Sequence, residues 1–155
     1  MRTPKRADDA DKNRTGGSLP IANLKHLEVT KLVLKAFYTV YNELGYGFLE
    51  KVYENSLAIE SAGLGLNIAQ QVPIEVYYKE QKVGFYEADL VINDAVIVEL
   101  KSVEQLMDRH EAQLLNYLMA TRFEVGLLLN FGPKPTFKRK AFDNSRKGKL
   151  SWVKP

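Results

Sequence analysis

The stretch "DLVINDAVIVELKS", residues 89–102, constrains this chain more than any other. Two apolar runs, Leu90–Ile92 and Val96–Leu100, flank Asn93-Asp94, so the segment reads as a β-hairpin. A two-residue turn would pair Asp89 with Val98 and place Asp89 and Glu99 on opposite faces. A three-residue turn, Asn93–Ala95, pairs Ile92 with Val96 and Asp89 with Glu99. Residues directly opposite in an antiparallel pair share a face. The odd turn therefore gathers Leu90, Ile92, Val96, Val98 and Leu100 on one apolar face. It leaves Asp89, Val91, Ile97, Glu99 and Lys101 on the other. A slip of one residue would turn the whole apolar set outward, so the pattern selects the three-residue turn.

That register brings two carboxylates and an ammonium to adjacent strand ends. Charges taken from water are costly unless each finds a partner. Two hard oxygen ligands plus waters suit Mg²⁺ or Mn²⁺. A neighbouring lysine can orient a water or offset charge on a phosphate. Glu99 and Lys101 alone would also fit a cross-strand ion pair at a solvated strand end, which stabilises little. Without a ligand, Glu99 and Lys101 are expected to satisfy each other and Asp89 in part.

Around the hairpin, the apolar period separates helices from strands. Val29, Leu32, Val33, Ala36, Phe37, Val40, Tyr41 and Leu44 recur at helical spacing, which predicts an amphipathic helix over 24–44, with Asn23 as N-cap and Gly45 as its end. Phe37, Tyr38 and Tyr41 form an aromatic face that suits internal packing or a homodimer. A second helix is expected from Phe48 to Ala62, closed by Gly63. "IAQQVPIEVYYK" and "KVGFYEADLVI" are strands joined through "KEQK". "DRHEAQLLNYLMATR" reads as a helix and "EVGLLLNFG" as a buried strand. Helix, helix, three-strand meander, helix, strand is an α/β sandwich with a mixed sheet, covered on both faces.

The 155 residues are 45% hydrophobic and 26% charged, enough for one globular domain with a real core. No apolar run approaches the ~20 residues of a membrane span. The basic N-terminus lacks an apolar core and is not a secretory signal. The absence of cysteine excludes disulfides and thiolate metal sites and fits a reducing, cytoplasmic setting. The organisation expected is a flexible leader over 1–22, a domain over 23–140 and a basic tail over 141–155. Residues 134–155 hold eight Lys or Arg against one acid, whereas residues 15–133 hold nine against fifteen. Such a basic segment is either a solvated tail or a grip on phosphate backbones.

Two helices add chemistry. Gln113 and Tyr117 are spaced i, i+4 and share a helix face, as an exposed flank or as donors to a phosphate or to Lys101. Glu50 and Tyr53 are spaced i, i+3. Glu50 lies in a first turn, where the helix dipole also favours a carboxylate.

"GFLEKVY" resembles the signature of the GxxExxY protein family. The likeness runs on through "YYKEQKVGFYEADLVI", "AVIVELKSVEQL", "HEAQLLNYL" and "VGLLLNFG", over roughly Leu27 to Gly132. That family resembles the PD-(D/E)XK nuclease superfamily, which implies a restriction-endonuclease-like sandwich: an antiparallel three-strand meander in a mixed central sheet, with helices on both faces. Asp89 fits the motif aspartate, with Ala88 where other members have proline. Glu99 and Lys101 fit the "ExK", and Glu50 the helical acid. Gln113 and Tyr117 resemble the "QxxxY" of RecB-like members. The resemblance implies metal-dependent phosphodiester hydrolysis, with DNA as the partner. Asp89, Glu99 and the Leu100 carbonyl would hold Mg²⁺ or Mn²⁺, and Glu50 one of the ion's waters or a second ion. Lys101 would position the attacking water, and Gln113 and Tyr117 would orient Lys101 or the scissile phosphate. The alternative is a domain that keeps this fold without catalysis and binds nucleic acid or a protein partner. A third reading is an unrelated α/β domain with a surface ion-pair cluster.

Overall fold

Residues 25–154 are described by the structure, a computed structural model; the expected leader and the Asn23 cap lie outside them. Helix α1 spans Leu27–Leu44 and starts later than the apolar period suggests, behind His26 at φ 57°. It ends at Gly45 (φ 70°), whose N–H donates to the Tyr41 carbonyl. Helix α2 spans Glu50–Gly63. The left-handed residue that ends it is Gly65 (φ 88°), not Gly63.

Next come strands β1 (Ile68–Tyr78), β2 (Gln81–Ile92) and β3 (Val96–Lys101). Tyr78 pairs with Gln81 around Lys79 and Glu80, both at positive φ, a tight two-residue turn. Helix α3 (Asp108–Ala120) crosses over to β4 (Val125–Phe131), which lies parallel to β3. The sheet order is β1-β2-β3-β4-β5, antiparallel except for that pair.

The meander lies between two apolar layers, as its pattern requires. Leu90, Ile92, Val96, Val98 and Leu100 join Val33, Phe37, Tyr53 and Leu57 from α1 and α2. Val91 and Ile97 join Leu114, Tyr117 and Leu118 from α3. Every residue of β4 is buried, because it is paired on both sides, by β3 and β5, and covered on both faces. Phe37 and Tyr41 turn inward: the Phe37 ring meets Phe131 edge-on at 4.8 Å, and the Tyr41 hydroxyl donates to the Gly132 carbonyl. Only Tyr38 of the aromatic trio is exposed, at 38%.

The sequence pattern misses β5 (Pro135–Ala141), the edge strand antiparallel to β4. Its Lys138, Arg139 and Lys140 hide the apolar alternation, and charged side chains are what a free edge needs against unwanted pairing. The reading of the basic segment as a solvated tail is corrected as well. Over 142–154 it wraps back across the α3 face. The Trp152 carbonyl accepts the Tyr77 N–H where the β1–β2 register shifts. Lys147, 2% exposed, donates to the Thr121 and Phe123 carbonyls beyond the end of α3. Burial lowers its pKa to about 8.

Gly132 sits where β4 passes the β3–α3 connection. The Asn130 side chain clamps Val103 there through both its amide N–H and carbonyl, at 3.0 Å each. A Cβ at Gly132 would collide with the Val103 carbonyl and lie 2.8 Å from the Asn130 amide nitrogen. Gly132→Ala is therefore expected to cost about 2–3 kcal/mol in urea unfolding. Gly63→Ala, which meets nothing within 4 Å, should be neutral or gain a few tenths (~0.3 kcal/mol).

Candidate functional site

The β2–β3 connection is the three-residue turn that the apolar pattern demands. Asn93 (φ 54°) and Asp94 (φ 51°) take left-handed conformations, and the Ala95 N–H closes on the Ile92 carbonyl at 3.0 Å. Ile92 pairs with Val96, Val91 with Ile97 and Leu90 with Val98. There the ladder stops, and side chains continue it. The Asp89 N–H donates to Glu99 Oε2 at 2.8 Å, and the Leu100 N–H donates to Asp89 Oδ2 at 2.8 Å. Each carboxylate thus grips the opposite strand.

A departure from plain alternation accompanies this. Ala88 packs with the α3 layer and Leu90 with the α1–α2 layer, although they are two residues apart. β1 does the same: Ile68 faces the first layer, and Val72, Ile74 and Val76 the second. Between them, Gln71 stands at φ 51° in mid-strand, and the Gln71–Asp89 rung drops out of the ladder. Both strands exchange faces at that rung. The twist turns Asp89 toward Glu99.

The electrostatics follow from burial. Glu99 is 4% exposed. Desolvation pushes its carboxyl up to about 8; the Asp89 and Glu50 charges add to the rise, and the Asp89 N–H and Lys101 oppose it. Asp89 is also raised, first by burial and then by Glu54, against the Leu100 N–H, Gln71 and Lys101. The expected pairing of Lys101 with these acids is not formed: among the described residues it makes no ion pair and acts on both through space. Backbone N–H groups satisfy the carboxylates instead. Tyr117 is buried, and its hydroxyl is pushed up to about 12 by burial and by the charges of Glu99 and Asp89. The Gln113 side-chain amide donates to it at 3.2 Å. Glu50 is exposed in the first turn of α2. Glu50, Asp89, Glu99, Lys101, Gln113 and Tyr117 therefore lie around one region, contributed by α2, β2, β3 and α3.

Three further residues belong to it. Glu54, 4% exposed, accepts from Lys51 (3.1 Å), Gln70 (2.7 Å) and Gln71 (2.8 Å). The Gln71 amide also reaches Asp89 Oδ1 at 3.5 Å, so it bridges the two acids. His110 is buried at the start of α3 with Nδ1 accepting the Met107 N–H, which leaves its proton on Nε2 in the neutral form. Burial, Arg109 and Lys101 lower its pKa. Spacing signals two of the three: Glu54 is i+4 from Glu50, and His110 is i−3 from Gln113, each on one helix face. Nothing in the sequence marks Gln71.

The donor set suits a hard cation that keeps most of its waters. Among the described residues no three His, Asp or Glu side chains stand together as a complete ligand cage. Mg²⁺ is commonly held by one or two carboxylates with waters completing its octahedron. Asp89 and Glu99 offer such a pair, and burial leaves both acids short of positive charge. The Leu100 N–H faces β2, and in an extended residue the carbonyl turns to the same flank.

A family model described as "PD-(D/E)XK nuclease superfamily" matches residues 27–140, most of the chain. Among solved structures the chain is similar to one titled "Crystal structure of SSO0001", at 16% identity with a TM-score of 0.47. That likeness covers 84% of this chain and 66% of the other, so this chain spans just under two thirds of its length. No curated protein matches it.

The pKa of Glu99 gives a test of the site without any ligand. Its folded value lies above the unfolded one, so the neutral acid is the form that folding favours. Its contribution to stability is intact below about pH 4.5 and is lost as pH rises through about 8. Metal-free wild type should therefore match Glu99→Gln near pH 5. It should fall below that variant by about 2–4 kcal/mol at pH 9 in urea unfolding.

Proposed function

The chain belongs to the PD-(D/E)XK nuclease superfamily, and we propose from that premise that it hydrolyses phosphodiester bonds in nucleic acid, DNA foremost, with Mg²⁺ or Mn²⁺ at Asp89 and Glu99. The observation that carries this reading is the crossed pair of buried carboxylates on β2 and β3, with Lys101 two residues beyond Glu99 on the same strand. The Leu100 carbonyl would complete the protein's share of the ion's ligands, and Glu50 would hold one of its waters or a second ion. When bound, the ion polarises the phosphate and makes a water more acidic.

The chain's own groups do the rest. The Lys101 ammonium holds the attacking water and offsets the charge that builds on the phosphate. Tyr117 keeps its proton throughout the neutral range and so serves as a donor to a phosphate oxygen. Gln113 fixes the orientation of that hydroxyl. The water oxygen adds to phosphorus, the bond to the leaving oxygen breaks, and the water's proton passes to the leaving group by way of solvent.

The β5 edge supplies the grip. Glu99, Leu128 and Lys138 lie in one row across the sheet, so Lys138 stands two strands away, about 10 Å. Lys134, Thr136 and Lys138 line a groove of about 570 Å³ against Glu104, Gln105 and Leu106. Lysines on a sheet edge beside the acidic centre suit a phosphate backbone entering from β5. Among the described residues, no helix is long and apolar enough to cross a membrane.

The test is cleavage of supercoiled, linear and single-stranded DNA with Mg²⁺, Mn²⁺ or EDTA. Asp89→Asn and Lys101→Ala are each expected to lose at least ~100-fold in rate with the fold intact. Lys134→Ala with Lys138→Ala should weaken binding of every sequence and flatten its salt dependence, by about one in log–log slope for each lysine that no longer meets a phosphate. A folded wild type that binds DNA but cuts nothing with either metal would assign the chain as a non-catalytic binding domain.

A further inference from the structure

Beside the carboxylate pair, the α1–α2 turn exposes an apolar surface that the hydrolytic chemistry leaves unused. Tyr46 is 46% exposed, Phe48 47% and Leu49 81%. Contiguous exposed aromatic and aliphatic groups on a soluble surface mark contact sites.

The turn is held rigidly. The Tyr53 hydroxyl donates to the Gly45 carbonyl at 2.6 Å and accepts the Phe48 N–H at 3.2 Å. The Tyr53 ring stacks on the buried Phe131 at 4.3 Å and 16°. Gly45 and Gly47 take φ of 70° and 125°, conformations that other residues rarely adopt, and a Cβ at either would meet nothing. The turn is also tied to the site. The Ser102 hydroxyl lies 3.3 Å from both the Phe48 and Phe131 carbonyls, one residue beyond Lys101. Glu50, which raises the pKa of Glu99, follows Leu49 directly.

An aromatic face and an exposed leucine add nothing to a phosphate. They match a nucleobase, whose π-face is available only where it is unpaired or at an end; inside a duplex the neighbouring bases cover it. We propose that the Tyr46–Leu49 turn is a base-stacking platform that takes an unpaired nucleotide adjoining the scissile phosphate. The substrate class is then single-stranded nucleic acid. The proposal rests on the nuclease reading and narrows it. Charge complementarity separates this occupant from an apolar protein surface: a partner seated on Phe48 and Leu49 would also meet Glu50 and Lys101, whereas a nucleotide offers a base to the turn and a phosphate to the Lys101 ammonium, whose neighbour Ser102 contacts the Phe48 carbonyl.

The test uses the full chain with Ca²⁺ in place of Mg²⁺, to hold the substrate uncut. Binding of a fluorescein-labelled 12-nucleotide DNA strand and of its blunt duplex is read by anisotropy. Phe48→Ala with Leu49→Ala should weaken single-strand binding by about ten- to a hundredfold and change duplex binding by less than about threefold. Phe48→Leu keeps an apolar side chain against Tyr53 but lacks a π-face, and it should show most of the same loss. Thermal unfolding of each variant checks the fold. Equal loss on strand and duplex, or no loss on either, overturns the proposal while leaving the nuclease reading in place if wild type still cuts. A concentration-dependent dimer abolished by Leu49→Ala assigns the turn to a second copy and also overturns it. A wild type that neither binds nor cuts any DNA removes the nuclease reading and the platform together.

Discussion

Two carboxylates finish the β2–β3 ladder where the backbone stops, and the site is organised by that exchange. Asp89 receives the Leu100 N–H and Glu99 receives the Asp89 N–H, each at 2.8 Å. A hydrogen bond to an ionised group stabilises by about 1.5–3 kcal/mol. Removing a carboxylate from water costs several kcal/mol, and a second one alongside adds to it. One N–H to each acid does not close that gap, so desolvation wins and Glu99 holds its proton to about pH 8. The pair is well positioned but electrically incomplete. A cation held by these two residues would offset the desolvation and the repulsion together.

A single aromatic post connects this pair to the helices. Phe131, at the end of β4, stacks on Tyr53 and meets Phe37 edge-on. Tyr53 fixes the turn that precedes α2, and α2 carries Glu50 and Glu54 to the sheet. The tyrosine and glycine of "GFLEKVY" therefore need no contact with substrate to matter. They set the height and angle at which α2 starts, and with it the distance from its acids to Asp89 and Glu99.

Much of this is legible in the sequence because it follows from one periodicity. The three-residue turn and both faces of the hairpin follow from the register that keeps Leu90, Ile92, Val96, Val98 and Leu100 together, and the structure has that register. The parts that escape share a cause: their residues are not arranged by apolar burial. β5 is an edge strand whose outward lysines mask its alternation. The packed segment over 142–154 is held by hydrogen bonds from Lys147 and Trp152 to backbone carbonyls, which composition does not distinguish from a solvated run. The exchange of faces at Gln71 and Asp89 is a backbone event, and a glutamine at φ 51° leaves no mark in any pattern. Alternation carried through Asp89 would have put Ala88 and Leu90 on the same layer, and they are not.

Three unfavourable features meet at this one rung: a left-handed non-glycine residue in mid-strand, a buried pair of like charges, and a lysine that pairs with neither. A residue held in a sparsely populated backbone region costs about 1–3 kcal/mol, and the surroundings must over-determine it. Here they do so through the Gln71 side chain, which the twist places between Glu54 and Asp89. Glycine at 71 would remove the backbone cost and an apolar residue at 99 the desolvation cost, but the first would break the Gln71 bridge and the second would leave the Asp89 N–H without its acceptor. Each cost taken separately admits a local explanation. Their coincidence admits one that is economical: the strain aims Asp89, the burial sharpens its field, and Lys101, without an ion pair among the described residues, acts on both acids through space. Under the proposed function, these are conditions that would favour a metal and a phosphate over water.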